Sequence, residues 1–193
     1  TTSMKVYFMG TGVKTINSGG KSFGSVYFAG TGTWSNQAAW NTGNMTVSQA
    51  ATLNFTNNIV MQQLQITAAA NITFSALATM NSSMNINAGA TVDFLSTSSG
   101  TNSSLTVNGA GAVLNFNANR TINNGLNLYN GTINTNGTTC TWGSFYSVSN
   151  CNNAAVRAAS QTPSSFGWRS FAKATRVSIV GVSGESNTTG AGA

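Results

Sequence analysis

Between Met45 and Ile133 the apolar residues come in pairs one residue apart, and the pairs recur. Met45-x-Val47 is followed by Leu53-x-Phe55, Leu64-x-Ile66 by Ile72-x-Phe74, Met84-x-Ile86 by Val92-x-Phe94, and Leu105-x-Val107 by Leu114-x-Phe116. A weaker fifth copy runs from Leu126-x-Leu128 to Ile133. Successive copies begin 19, 20, 21 and 21 residues apart, which is the period of a stacked repeat. Spacing of i and i+2 puts both members of a pair on one face of a strand. Small residues separate the pairs: Gln49-Ala50-Ala51, Ala68-Ala69-Ala70, Ala88-Gly89-Ala90 and Gly109-Ala110-Gly111. They predict tight corners. Clusters such as Thr56-Asn57-Asn58, Ser96-Thr97-Ser98-Ser99-Gly100 and Asn117-Ala118-Asn119 predict the turns that close each unit, because these side chains bond to their own backbone.

One such unit is not stable alone. It buries about four apolar side chains at roughly 1.5–3 kcal/mol each, while ordering its backbone costs about 1–2 kcal/mol per residue. Units must therefore stack, so that strands pair and the apolar faces merge into one core. The predicted fold is all-β: a β-solenoid (parallel β-helix) with rungs of about 20 residues. The alternative is a β-sandwich of about eight short strands. The repeated order of pair, small corner and second pair favours the solenoid.

The pattern continues upstream less regularly. Val6-x-Phe8 lies 20 residues before Val26-x-Phe28, and Val26 lies 19 before Met45. Val13, Ile16 and Trp34 are expected to fill the second sites, which makes seven units from Val6 to Ile133. Ser18-Gly19-Gly20-Lys21 reads as a turn. Gly10-Thr11-Gly12 and Gly30-Thr31-Gly32 are not phosphate loops, since no amphipathic helix follows either. Beyond about Thr138 the texture changes. The expected division is a solenoid over 1–137 and an irregular C-terminal docking or capping segment over 138–193. Within the latter, Phe145–Val148 would add a rung, residues 152–159 a short helical turn, and Arg176–Val182 a last strand. Neither end shows a polar cap, so other chains or further segments are expected to cover both.

Charged residues make up only 5% of the 193, against roughly 25% in an ordinary soluble domain. Asn, Thr, Ser and Gly supply the polarity, which suits an extracellular or virion surface. No apolar run approaches the length of a membrane span. The net charge of +6 comes from eight basic residues set against Asp93 and Glu185. The basic residues form no run or stripe, so nucleic acid is not an expected partner. The segment holding Arg157, Phe166, Trp168, Arg169 and Phe171 is a candidate docking segment for a partner protein.

Other chemistry is sparse. Trp34 and Trp40 are either core or cap residues or a glycan contact. Cys140 and Cys151 either close a short disulfide loop or remain two free thiols. Without histidine or a third cysteine they define no metal site, and no cofactor is expected. Asn85, Asn87, Asn115, Asn117, Asn127 and Asn134 recur near the strands, where stacking can align amide ladders. Glycoside hydrolysis takes two carboxylates about 5–9.5 Å apart. About four rungs separate Asp93 from Glu185, on the order of 20 Å at the usual strand spacing. With no histidine there is also no catalytic triad. An enzyme is not expected.

Two stretches carry a resemblance. The first is Gly19-Gly20-Lys21-Ser22-Phe23-Gly24-Ser25-Val26-Tyr27-Phe28-Ala29-Gly30-Thr31-Gly32-Thr33-Trp34; the second runs from Gly131-Thr132-Ile133-Asn134 to Gly143-Ser144-Phe145. Their texture, which covers most of residues 17–145, resembles the Asn/Thr/Gly-rich β-solenoid repeats of tailed-bacteriophage virion proteins and large bacterial surface proteins. The resemblance implies a homo-oligomeric, typically trimeric, fibre, spike or capsid-attached appendage, or a surface adhesin. The expectation that follows is a non-enzymatic structural protein of a bacteriophage virion. It would present a polar surface to a host glycan, join other virion structural proteins, and insert in no membrane. The alternatives are an adhesin or self-assembling extracellular filament at a bacterial or archaeal cell surface, and a polysaccharide-degrading spike. The pattern assigns no functional residue.

Overall fold

The computed structural model describes residues 4–96, 98–134, 140–142, 146–147, 153–157 and 177–180, with side chains at 4–96, 104–119 and 131–134. The described chain is all-β, with parallel strands stacked in about six turns of about 19 residues. It is a β-solenoid, as the repeat predicts.

The elements are β1 (Lys5–Phe8), β2 (Val13–Ile16), β3 (Ser22–Phe28), β4 (Thr33–Asn36), β5 (Trp40–Val47), β6 (Thr52–Phe55), β7 (Ile59–Ile66) and β8 (Asn71–Phe74). They continue as β9 (Ala78–Ile86), β10 (Thr91–Phe94), β11 (Ser98–Phe116), β12 (Arg120–Asn134), β13 (Cys140–Trp142), β14 (Tyr146–Ser147), β15 (Asn153–Arg157) and β16 (Val177–Val180). Register places Met45 on Leu64, Leu64 on Met84, Met84 on Leu105 and Leu105 on Leu126. The repeat steps in the sequence are therefore the turns of the coil. A second column runs Trp34, Leu53, Ile72, Val92, Leu114, Ile133, and every one of these side chains is buried.

Each turn has three walls rather than two. Beyond the second wall and its turn comes a third short strand: Trp40 stacks on Ile59 and Ile59 on Ala78, with Thr42, Met61 and Met80 in line beside them. Trp40, Ile59, Met61, Ala78 and Met80 are buried. The strand was hidden because it is only three residues long and directly abuts the next first-wall strand. Strands β5, β7 and β9 accordingly bend from the third wall into the first.

The corners follow from size. Ala51, Ala70, Ala90 and Ala112 are buried where the chain turns. The amides of Ala51, Ala70 and Ala90 reach back to the carbonyls of Gln49, Ala68 and Ala88 at 2.7–2.8 Å, a three-residue turn. Turns stack backbone on backbone here. A Cβ on Gly109 would fall onto the Ala88 carbonyl below it.

Inside the second wall lies a phenylalanine file. Phe55 and Phe74 stack at 5.1 Å and Phe74 and Phe94 at 4.8 Å, and Phe116 lies tilted against Phe94 at 5.8 Å. Offset stacking of this kind adds to the burial of each ring.

Two details differ from the sequence reading. Val13 pairs with Thr33 on an outward position and is 83% exposed, so it fills no second site, whereas Ile16 is buried. Residues 153–157 are a strand rather than a helical turn: β15 pairs with β12 in register, Ile133 on Val156. Beyond residue 137, β13 and β14 pair in parallel with β12, and β16 with β15. The rung expected near Phe145 is β14, and the expected last strand is β16.

Candidate interaction surfaces

The walls turn their polar positions outward in rows. On the first wall the pairs are Asn44/Thr46, Gln63/Gln65, Ser83/Asn85 and Ser104/Thr106. On the second they are Thr33/Ser35, Thr52/Asn54, Asn71/Thr73 and Thr91/Asp93, then Asn115 with the apolar Val113 in place of a hydroxyl or amide. Hydroxyls and amides thus repeat at the strand spacing of about 4.8 Å. Asp93 is the one carboxylate among the described residues, since Glu185 lies outside them. The Asn115 amide donates to Asp93 Oδ1, and the Asn134 amide donates to Asn115 Oδ1 at 2.7 Å. Of the expected amide ladders, this one forms, with Asp93 as its acceptor end. The described residues contain no group of three or more His, Cys, Asp or Glu placed to hold a metal ion.

Trp34 and Trp40 are 5% and 2% exposed. Neither ring offers a face to solvent, so they are not a glycan contact. Burial follows from register: Trp34 sits on Leu53 and Trp40 on Ile59, both core columns. Trp40 meets Phe23 edge-on at 4.9 Å, and Trp34 lies 5.4 Å from Phe8. With Phe28 and Phe55 these rings form an aromatic plug beneath the first turn. Both indole N–H groups are buried without a hydrogen-bond partner.

The first turn is the other distinctive surface. Val6 and Phe8 stack on Val26 and Phe28, yet remain only partly buried because no strand lies above them among the described residues. Among the described strands, β1 pairs only with β3, and β2 only with β4. Met4, Tyr7 and Met9 are 62%, 55% and 67% exposed. Tyr7 stacks on Tyr27 at 4.7 Å, which leaves its other face open towards the end.

Three lysines belong to this turn. Lys5 is on β1 of the first wall, Lys14 on β2 of the second, and Lys21 immediately before the third-wall part of β3, and all three are exposed. From Ser22 to Asn119 the sequence has no other basic residue. The linear sequence shows no cluster, because residues 9 and 7 apart look dispersed; coiling brings them onto one ring. Lys14 takes the register position of Trp34, so it occupies a core column.

Of the remaining candidates, Arg157 ends β15 and Cys140 begins β13. Phe166, Trp168, Arg169, Phe171 and Cys151 lie outside the described residues. No helix among the described residues is long and apolar enough to cross a membrane. No protein-family model, curated protein or solved structure matches this chain. The class defined by fold and surface is a β-solenoid with polar walls and an open, basic first turn.

Proposed function

We propose that this chain is a non-enzymatic structural protein of a bacteriophage virion, a fibre, spike or head-surface appendage that works as a stiff rod. The observation that carries this reading is the combination of an unbroken core with walls of uncharged hydroxyls and amides in register. The core columns run through every turn, so bending would have to break stacked rings and strand pairs together. The walls offer a host glycan a repeating set of donors and acceptors, through Thr, Ser, Asn and Gln rather than through tryptophan. A trimer, held by wall contacts or by the C-terminal segment, suits such an appendage. Asp93 serves the wall as a hydrogen-bond acceptor.

Imaging of the native assembly with a label on this chain tests the proposal. The expected result is a slender projection on a virion, three-fold about its axis. A rod on a bacterial or archaeal cell surface would make the chain an adhesin instead. Release of reducing ends from a host polysaccharide, lost on Asp93→Asn, would overturn the non-enzymatic reading.

A further inference from the structure

We propose that the outer face of the first wall holds a carbohydrate subsite built on Tyr27, which takes one pyranose ring of an extended, neutral glycan lying along the coil. The proposal rests on the reading that the walls meet a glycan, and it assigns the wall, the residues and the ligand class. Register puts Tyr7, Tyr27, Thr46 and Gln65 in one outward row, with Ser25, Asn44 and Gln63 in the row beside it. Tyr7 stacks on one face of Tyr27, with centroids 4.7 Å apart and planes 14° apart, which fixes how the Tyr27 ring stands on the wall. The other face of Tyr27 turns towards Thr46, a side chain too short to cover a phenol ring, and Tyr27 stays half-buried. An aromatic face beside polar neighbours suits a sugar, whose C–H face is apolar and whose rim is hydroxylated.

The neighbours supply the hydrogen bonds. Asn44, Thr46, Gln63 and Gln65 all carry donors and acceptors, and none has a side-chain partner among the described residues. On the second wall Asp93, Asn115 and Asn134 bond one another, so that stretch has less to offer a ligand. Successive outward pairs lie about 4.8 Å apart, close to the advance of one sugar in an extended chain, so consecutive sugars meet consecutive turns. Charge decides the class of glycan. From Ser25 and Tyr27 to Ser104 and Thr106 no outward position of this wall is charged, so an anionic polysaccharide gains nothing along it over a neutral one. Lys5 is in register with Ser25, on the Tyr7 side of the ring. Other occupants fit less well. Nucleic acid needs a basic stripe and a protein partner an apolar centre, whereas Tyr27 is the one large apolar group among those ten outward positions.

Titration calorimetry of the purified chain with neutral hexasaccharides (cellohexaose, maltohexaose and mannohexaose) and with acidic oligogalacturonate tests the proposal. At least one neutral hexasaccharide should bind, and oligogalacturonate should bind no more tightly. Tyr27→Ala should weaken binding about tenfold or more, and Tyr27→Trp should retain it. Gln65→Ala should weaken it severalfold. Melting temperatures of the variants serve as the folding control. In the unaltered chain carrying isotope-labelled tyrosine, the ring signals of Tyr27 should shift on titration, a readout that requires no variant to fold. The proposal is overturned if none of the neutral hexasaccharides binds, if only the acidic one does, if Tyr27→Ala binds as tightly as the unaltered chain, or if the Tyr27 signals stay in place. Binding that survives Tyr27→Ala and is lost when Thr52→Ala and Asn54→Ala are combined would overturn the Tyr27 site while leaving a glycan role to the second wall. Finding the rod on a cell rather than a virion would overturn the appendage reading and leave these readouts on the purified chain intact.

Discussion

Asn36 interrupts the phenylalanine file, standing where the next turn has Phe55, and it is 2% exposed. Its side chain nevertheless has every hydrogen-bonding position filled. The amide donates to the carbonyls of Ala38 and Asn57, both at 3.1 Å, and Oδ1 accepts from the backbone amides of Thr56 and Asn57 at 2.9 and 3.2 Å. It therefore ties two successive second-to-third-wall corners together. Asn36→Leu keeps the branched shape, with a larger volume, and leaves two amides and two carbonyls without partners. At about 1–3 kcal/mol for an unsatisfied buried group, with partial relaxation, the loss should be about 3 kcal/mol in chemical denaturation. Replacing the exposed Gln62 by Ala should change stability by less than about 0.5 kcal/mol. Trp40 makes the opposite case. Its indole N–H is buried and unpartnered, so Trp40→Phe removes an uncompensated polar group while it shortens the ring system. The two effects oppose each other, and the net change should stay within about 1 kcal/mol, well below the usual cost of shrinking a buried aromatic. A loss of several kcal/mol in the same denaturation experiment would show that the N–H has a partner after all.

Among elements, the second-wall strands carry the most specific packing. Phe74 stacks between Phe55 and Phe94, so Phe74→Ala opens a void with rings on both sides. The expected cost is about 3–5 kcal/mol, and Phe74→Leu should recover much of it. Corners have a different sensitivity. Gly109→Ala adds a single methyl group, but that methyl meets the Ala88 carbonyl rather than a movable side chain. A loss of about 1–3 kcal/mol is expected, read as a lowered melting temperature. These elements also show what the sequence could reveal. The first- and second-wall strands were legible because two inward residues flank one outward residue, and the spacing repeats. The third wall was not: Trp40-x-Thr42, Ile59-x-Met61 and Ala78-x-Met80 mix aromatic, polar and small residues, so no single pattern recurs. Val13 misled because it takes the outward register position of Thr33, while its neighbour Lys14 takes that of Trp34. The lysine ring was illegible for another reason. Charges that share a turn of the coil are separated in sequence by the length of a wall, and only the three-walled path joins them.

At the scale of the whole molecule, each turn touches only the turns above and below, so stability is close to a sum of turn and interface contributions. Among the described residues an interior turn has two interfaces and the first turn has one. The backbone amides of β1 and β2 that point away from the second turn also have no strand to bond to among the described residues. Local opening should therefore be least costly at this end and rise inward over the first few turns. Hydrogen exchange on the purified chain should show it as a gradient: fast at Lys5–Phe8 and Val13–Ile16, slower at Ser22–Phe28, and slowest through β7 to β9. The aromatic plug should make that gradient steep, because Phe8 gives way to Phe28, Trp34 and Trp40 within one turn and the opening must then expose several large rings. The chain contains no histidine, so no side chain with an ordinary pKa between about 5 and 8 is present to tilt the gradient with pH. Once intrinsic exchange rates are corrected, the profile should be the same at pH 5.5 and pH 7, both chosen within that roughly 5–8 window. A uniform profile along the solenoid would mean that turns open together rather than from the end, contrary to a coil held by nearest-neighbour contacts.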